Sequence, residues 1–221
     1  MSEVIITVRG EHEARIFPEQ AVARVTLRAE GPDRGRVVEQ IAALASPLLD
    51  DLKSRKESGS LQDWSSEQVN IWASRPWAAD GTQLGLVQYA SLSLSATFTD
   101  FTTLSWWISE IAETEGVQID GVAWQLTPET AASTEGQVAA DAVRVAVDRA
   151  TAYASAIGLT SVTPLEIADL GLLTRSEASA QPEMRMMKAS FAADSGGAPP
   201  MEFHPQEIMV SAGVEARFTA R

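Results

Sequence analysis

The chain has 221 residues and a formal net charge of −13, from 30 acidic and 17 basic side chains. That balance argues against nucleic acid and against an anionic membrane surface as partners, because both draw on clustered Lys and Arg. Cysteine is absent, which excludes disulfides, thiolate catalysis and Cys-ligated metal centres.

No apolar run approaches the roughly 18 residues of a membrane helix. The N-terminus has no basic segment followed by an apolar one, so either the protein is cytoplasmic, which the Met-Ser start favours, or a signal was removed before this numbering begins. Val4, Ile6 and Val8 alternate with Ile5, Thr7 and Arg9 and predict a first strand. Ala21, Ala23, Val25, Leu27 and Ala29 predict a second. Asp33, after Gly31-Pro32, suits the N-cap of a helix that runs to about Arg55. Its apolar stripe is Val37, Val38, Ile41, Leu44, Ala45, Leu48, Leu49 and Leu52. Pro47 predicts a kink or break near Leu44, and Glu57–Ser60 ends the helix.

Two further strands are expected over Glu67–Arg75 and Val87–Thr99, separated by a turn region over Pro76–Gly85. The first has Val69, Ile71 and Ala73 on one face. The second has Ala90, Leu92, Leu94, Ala96 and Phe98 on one face and a Ser/Thr row on the other, the pattern of a solvated or hydrogen-bonded sheet surface. A short helix over Phe101–Thr114 has Leu104, Ile108 and Ile111 as its core face. A strand over Val117–Leu126 precedes Thr127-Pro128-Glu129, which opens the longest helix. Its expected seam is Ala139, Val143, Ala146, Ala150, Tyr153 and Ile157, with Gly158 as C-terminal cap. Another strand covers Val162–Leu173.

Residues 176–204 are rich in Met, Ala, Gly and Pro without any period and read as a long flexible loop. The last seventeen residues, PQEIMVSAGVEARFTAR, alternate strictly at Ile208, Val210, Ala212, Val214, Ala216 and Phe218. This strand ties the terminus into a sheet. The fold class is therefore α+β, antiparallel sheet packed by long helices. The element order also carries a loose strand-strand-helix-strand-strand echo of the kind an internal duplication produces.

ITVRGE at Ile6–Glu11, PEQAVARVTL at Pro18–Leu27, YASLSLSATFTDFTTL at Tyr89–Leu104 and GVQIDGVAWQLT at Gly116–Thr127 occur in that order. The alanine-spaced helix ending in AIGL and the terminal PQEIMVSAGVEARF follow. Together they resemble the SIMPL domain family, over almost the whole chain. The resemblance implies a single α+β domain over residues 1–221 and self-association into homo-oligomers, ring-like or channel-like in some members. It also implies a link to stress in some relatives, many of which are periplasmic. The family has no agreed catalytic motif, so the resemblance transfers no catalytic residue and no cofactor.

The remaining candidates are sparse. His12 and His204 lack the spacing of a metal motif, and edge or exposed positions are the simpler reading. Met184, Met186, Met187 and Met201 share one loop with Met209 just beyond. Thioethers suit Cu(I) or oxidant sensing, but the simpler reading is an adaptable apolar surface that packs on the body or a neighbouring subunit. Trp106 and Trp107 differ by about 100° around a helix, so one ring must leave the core face. With Trp77 beside Pro76, and with Met184, Met186 and Met187, they are the candidate interface residues. Neither GxGxxG, a P-loop nor GxSxG occurs. Asp50-Asp51 reads as a solvated helix face. The expected function is a homo-oligomeric binding or structural module, with no small-molecule ligand, metal or cofactor indicated. A hydrolase-like enzyme using carboxylates in a cleft, and a Met-loop metal or redox sensor, are the alternatives.

Overall fold

The structure is a computed structural model that describes residues 3–173 and 202–221. These divide into two compact units. Unit 1 holds 3–17, 126–173 and 206–221, and unit 2 holds 18–125 and 202–205.

Unit 1 joins the two ends of the chain. Strand β1 (Val4–Ile16) pairs antiparallel with the C-terminal strand, in unbroken register from Val4↔Ala220 to Ile16↔Ile208. The C-terminal strand (Ile208–Ala220) is the central one of three, between β1 and the strand over Val162–Asp169. The alternation expected at the terminus is therefore real. Val214, Ala216, Phe218 and Ala220 face a long helix, Pro128–Ala156, and are buried with Ile6 and Val8.

That helix is capped at its start by Thr127, whose hydroxyl accepts from the Thr130 amide, with Pro128 in the first turn. At its end Gly158 adopts φ +80°. Gly158 N–H bonds Ser155 O at 3.1 Å and Leu159 N–H bonds Ala154 O at 2.9 Å, a Schellman pair. The buried seam is Val138, Ala142, Ala146, Ala150 and Ala154. This corrects the expected seam: Ala139, Tyr153 and Ile157 are exposed and Val143 is only partly buried. The reason is closeness. A Cβ placed on Gly10 would lie 2.0 Å from Ala142 O and 2.7 Å from Ala146 N, so helix backbone meets strand backbone with room only for methyl groups. Larger residues are turned outward.

Unit 2 contains, in chain order, β2 (Gln20–Gly31), α1 (Arg34–Ser58), β3 (Asp63–Ser74), β4 (Val87–Phe98), α2 (Phe101–Ala112) and β5 (Val117–Gln125). In unit 1 the long helix is then α3, and the strands over Val162–Asp169 and Ile208–Ala220 are β6 and β7. The unit 2 sheet has the order β3-β4-β2-β5 with every neighbour antiparallel. A β-α-β-β-α-β chain in that order is the split βαβ arrangement.

The two helices cover one face. Ala21, Ala23, Val25 and Leu27 from β2 and Ala90, Leu92, Leu94, Ala96 and Phe98 from β4 are buried there. They pack with Val37, Ile41, Leu48 and Leu52 of α1 and with Leu104, Trp107, Ile108 and Ile111 of α2. Asp33 caps α1 through the Arg36 amide, as expected, and Gly59 (φ +79°) closes it. The helix continues past Pro47 without a break. Pro47 and Ala43, whose carbonyl loses its partner, both lie on the exposed side, where the group is open to water.

Candidate functional site

The face of the unit 2 sheet opposite the helices is polar by construction, because period-two alternation sends every second residue there. The β2–β4 register places Glu30 opposite Tyr89, Arg28 opposite Ser91, Thr26 opposite Ser93 and Arg24 opposite Ser95. β3 adds Trp72 opposite Tyr89, Asn70 opposite Ser91 and Gln68 opposite Ser93. The serines therefore form a low column between longer side chains on β2 and β3.

Hydroxyls link across this column. Thr26 Oγ1 lies 3.3 Å from Ser93 Oγ, and Ser65 Oγ lies 2.9 Å from Ser95 Oγ. Thr26 also donates to Asp120 Oδ2 at 2.6 Å. At one end Trp72 and Tyr89 stack, with centroids 5.3 Å apart and planes 14° from parallel. A concavity of ≈ 540 Å³ lies against Thr26, Arg28, Glu30, Trp72, Tyr89 and Ser93. The Ser/Thr row of β4 is thus a hydrogen-bonded sheet surface, as the alternation predicts. The aromatic pair at its end depends on a cross-strand register that local sequence does not display.

β3 is the edge of this sheet and is exposed along nearly its whole length. Val69, Ile71 and Ala73 share one face, as predicted, but that face is not covered. Val69 is 64% and Ile71 37% exposed. Trp72, Trp77, Leu84 and Leu86 are exposed on the same β3–β4 arm. Trp77 makes an isolated bridge to Gln83 at the tip of the arm. The opposite edge is different. Trp124 of β5 meets Phe101 and Phe203 edge-on, at 4.8 and 5.6 Å between centroids.

The two neighbouring tryptophans of α2 separate as helix geometry requires. Trp107 is 1% exposed. Its ring packs on Phe98 with centroids 5.2 Å apart, and its Nε1–H donates to Asp51 Oδ2 at 3.1 Å. It belongs to the core of unit 2, which corrects its placement among interface residues. Trp106 is 58% exposed and Trp77 69%, so both rings are free to meet a partner. Met184, Met186, Met187 and Met201 lie outside the described residues, and Met209 is exposed on β7. Asp51, expected on a solvated face, also accepts from Arg55 Nε at 2.7 Å, and Arg55 reaches Glu110 at 2.9 Å.

Among the described residues four carboxylates are held below their ordinary pKa, each by local hydrogen bonds. Lys56 holds Asp63 at the start of β3, and the Thr82 hydroxyl and amide hold Asp80 in a turn. The Thr103 hydroxyl holds Asp100, the N-cap of α2. The Gln137 amide, then Arg144 and His12, hold Asp141 on α3. These positions are caps, turns and helix surface, and none lines the concavity. His12 Nε2 is 3.9 Å from Asp141 and His204 Nε2 is 3.5 Å from Glu202. Among the described residues no group of three or more His, Asp or Glu is arranged to hold a metal, and no helix is long and apolar enough to cross a membrane.

The fold is that of an α+β protein with helices packed on antiparallel sheets. The family model for SIMPL, described as a protein of unknown function (DUF541), matches residues 6–218, and the chain belongs to that family. No curated protein matches it.

Proposed function

We propose that the chain is a self-assembling module that works through protein–protein contact. The observation that supports this reading is the β3–β4 arm. Val69, Ile71, Trp72, Trp77, Leu84 and Leu86 are all at least one-third exposed within one short stretch. Val69 and Ile71 lie on one face of β3 and Trp72 on the other, and this concentration of exposed apolar side chains on a single arm supports an interaction surface. Copies of a chain with net charge −13 repel one another, so self-association is favoured through surface where like charges do not meet, as on this arm. The helix-free sheet face, where Arg24 and Arg28 have no ion pair among the described residues and hydroxyls align beside them, then supplies the module with a polar binding surface.

A carboxylate hydrolase would need two acids converging in a cleft. Among the described residues Glu30 is the one acid against the concavity, so the geometry favours assembly over that alternative. Light scattering after size exclusion tests the proposal. A discrete species well above the 23.7 kDa of one chain is expected, and a monomer at all concentrations overturns it.

A further inference from the structure

Edge strands present unpaired N–H and C=O groups, and proteins that must stay apart blunt them with charge, proline or a bulge. From Gln68 to Ser74 (QVNIWAS), β3 has none of these. The run pairs with β4 without irregularity, and it is bounded by the Glu67 bulge at one end and by Arg75-Pro76 at the other. We propose that this run pairs antiparallel with the same run of a second copy, about a two-fold axis at Ile71, and so continues the four-stranded sheet across both chains. This inference rests on the self-assembly reading and names its interface.

The run is complementary to itself. A two-fold perpendicular to a sheet places one residue opposite its own copy, and the midpoint of the run is Ile71. Asn70 then faces Trp72 of the second copy, Val69 faces Ala73, and Gln68 faces Ser74. No like charges oppose one another along the run. At its ends Glu67 faces the second copy's Arg75, and Arg75 faces its Glu67. Neither side chain has an ion pair among the described residues, in a protein where most other basic groups on the strands and helices do. Shifting the register by two residues loses both charge pairs. Pro76 has no N–H to donate and ends the ladder.

The faces agree as well. Val69 is opposite Leu92 and Ile71 opposite Ala90, so both lie on the side of the sheet that carries the helices. The two-fold keeps that side common to both copies. Val69, Ile71 and Ala73 of one copy then cover those of the other. This gives a role to an apolar alternation that the isolated chain leaves in water. The other edge of the sheet, where Trp124 is packed by Phe203, has no comparable bare run.

Charge exchange tests the pairing. Glu67→Arg places Arg opposite Arg, and Arg75→Glu places Glu opposite Glu, twice per pair of chains. Each single variant is expected to raise the dissociation constant about tenfold or more, and the double exchange Glu67→Arg/Arg75→Glu is expected to restore it. Circular dichroism on each variant checks that the monomer remains folded. As an independent measurement, Ile71→Cys introduces the chain's only thiol, so a short bismaleimide can join it only to another copy, and a covalent dimer is expected. A wild-type monomer at every concentration would overturn self-assembly as a whole. A wild-type oligomer that both single variants leave intact would overturn this interface alone. A folded double variant that stays dissociated, or an Ile71→Cys chain that gives no covalent dimer, would also overturn the pairing.

Discussion

The two units reach a packed core by opposite means. In unit 1 the long helix lies so close to its sheet that Ala142, Ala146, Ala150 and Ala154 face Gly10, Ala216 and Ala220. In unit 2 the helices stand off on Leu, Val, Ile and Phe side chains, with Trp107 filling the space between α2 and β4. Dispersion and burial act in both. The difference is where volume is critical. Unit 1 should tolerate no added atoms on its seam, and unit 2 should suffer most from atoms removed. Closeness also lets a side chain reach strand backbone, as Arg149 Nη1 does to Arg9 O at 2.7 Å.

The largest expected effect is in unit 2. Trp107→Ala deletes a fully buried ring and leaves Asp51 without one donor, and should cost about 3–5 kcal/mol in denaturant unfolding. All six tryptophans lie in unit 2, so tryptophan fluorescence follows that unit directly. A loss below about 1 kcal/mol would contradict the packing described. The matching change in unit 1 is an addition. Gly10→Ala places a methyl against the Ala142 carbonyl and should cost about 2–3 kcal/mol by far-UV circular dichroism. A neutral outcome would mean that the helix moves away freely, and the contrast between the units would fail.

Smaller effects sharpen the picture. Asp100→Ala removes the N-cap of α2 and should cost about 1 kcal/mol. The folded-state pKa of Asp100 is lowered by the Thr103 hydroxyl. Its contribution is therefore full above the ordinary carboxylate range and is lost as pH falls through the lowered value. Wild type and Asp100→Ala should converge in stability in acid, and a gap that persists there would show that charge and hydrogen bonding at the cap are not the cause. The smallest stability change is expected at the bare edge. Ile71→Lys should alter monomer unfolding by less than about 0.5 kcal/mol while weakening self-association. A strong destabilisation of the monomer would mean that Ile71 packs within its own chain.

Much of the architecture is legible along the chain where a pattern is local. The alternation of β2, β4 and β7, the caps at Asp33, Thr127 and Gly158, and the core face of α2 all follow from period and capping chemistry. The seam of α3 is harder. Apolar character alone points to Val143, Tyr153 and Ile157, but the helix approaches too closely for them. Smallness decides the face, and an alanine-rich sequence offers several such stripes. Pro47 does not break α1, since an interior proline is tolerated where its orphaned carbonyl is open to water. The pairing of β1 with β7, which joins residues at opposite ends of the chain, has no local signal. The Trp72–Tyr89 stack and the opposition of Arg28 to Ser91 depend on strand register, and sequence shows none of it. The exposure of Val69 and Ile71 is invisible for the same reason: alternation gives a face, but neighbours decide whether that face is covered.

The most direct measurement is amide hydrogen exchange over residues 68–74, compared at concentrations where light scattering shows assembled and dissociated chains. An outward-facing N–H on the bare edge exchanges quickly, whereas one bonded to a second strand is protected. Pairing through β3 predicts slowed exchange at alternate residues of this run in the assembled state, lost on dilution. Equal exchange in both states, with the mass still changing, would contradict β3 as the joining edge.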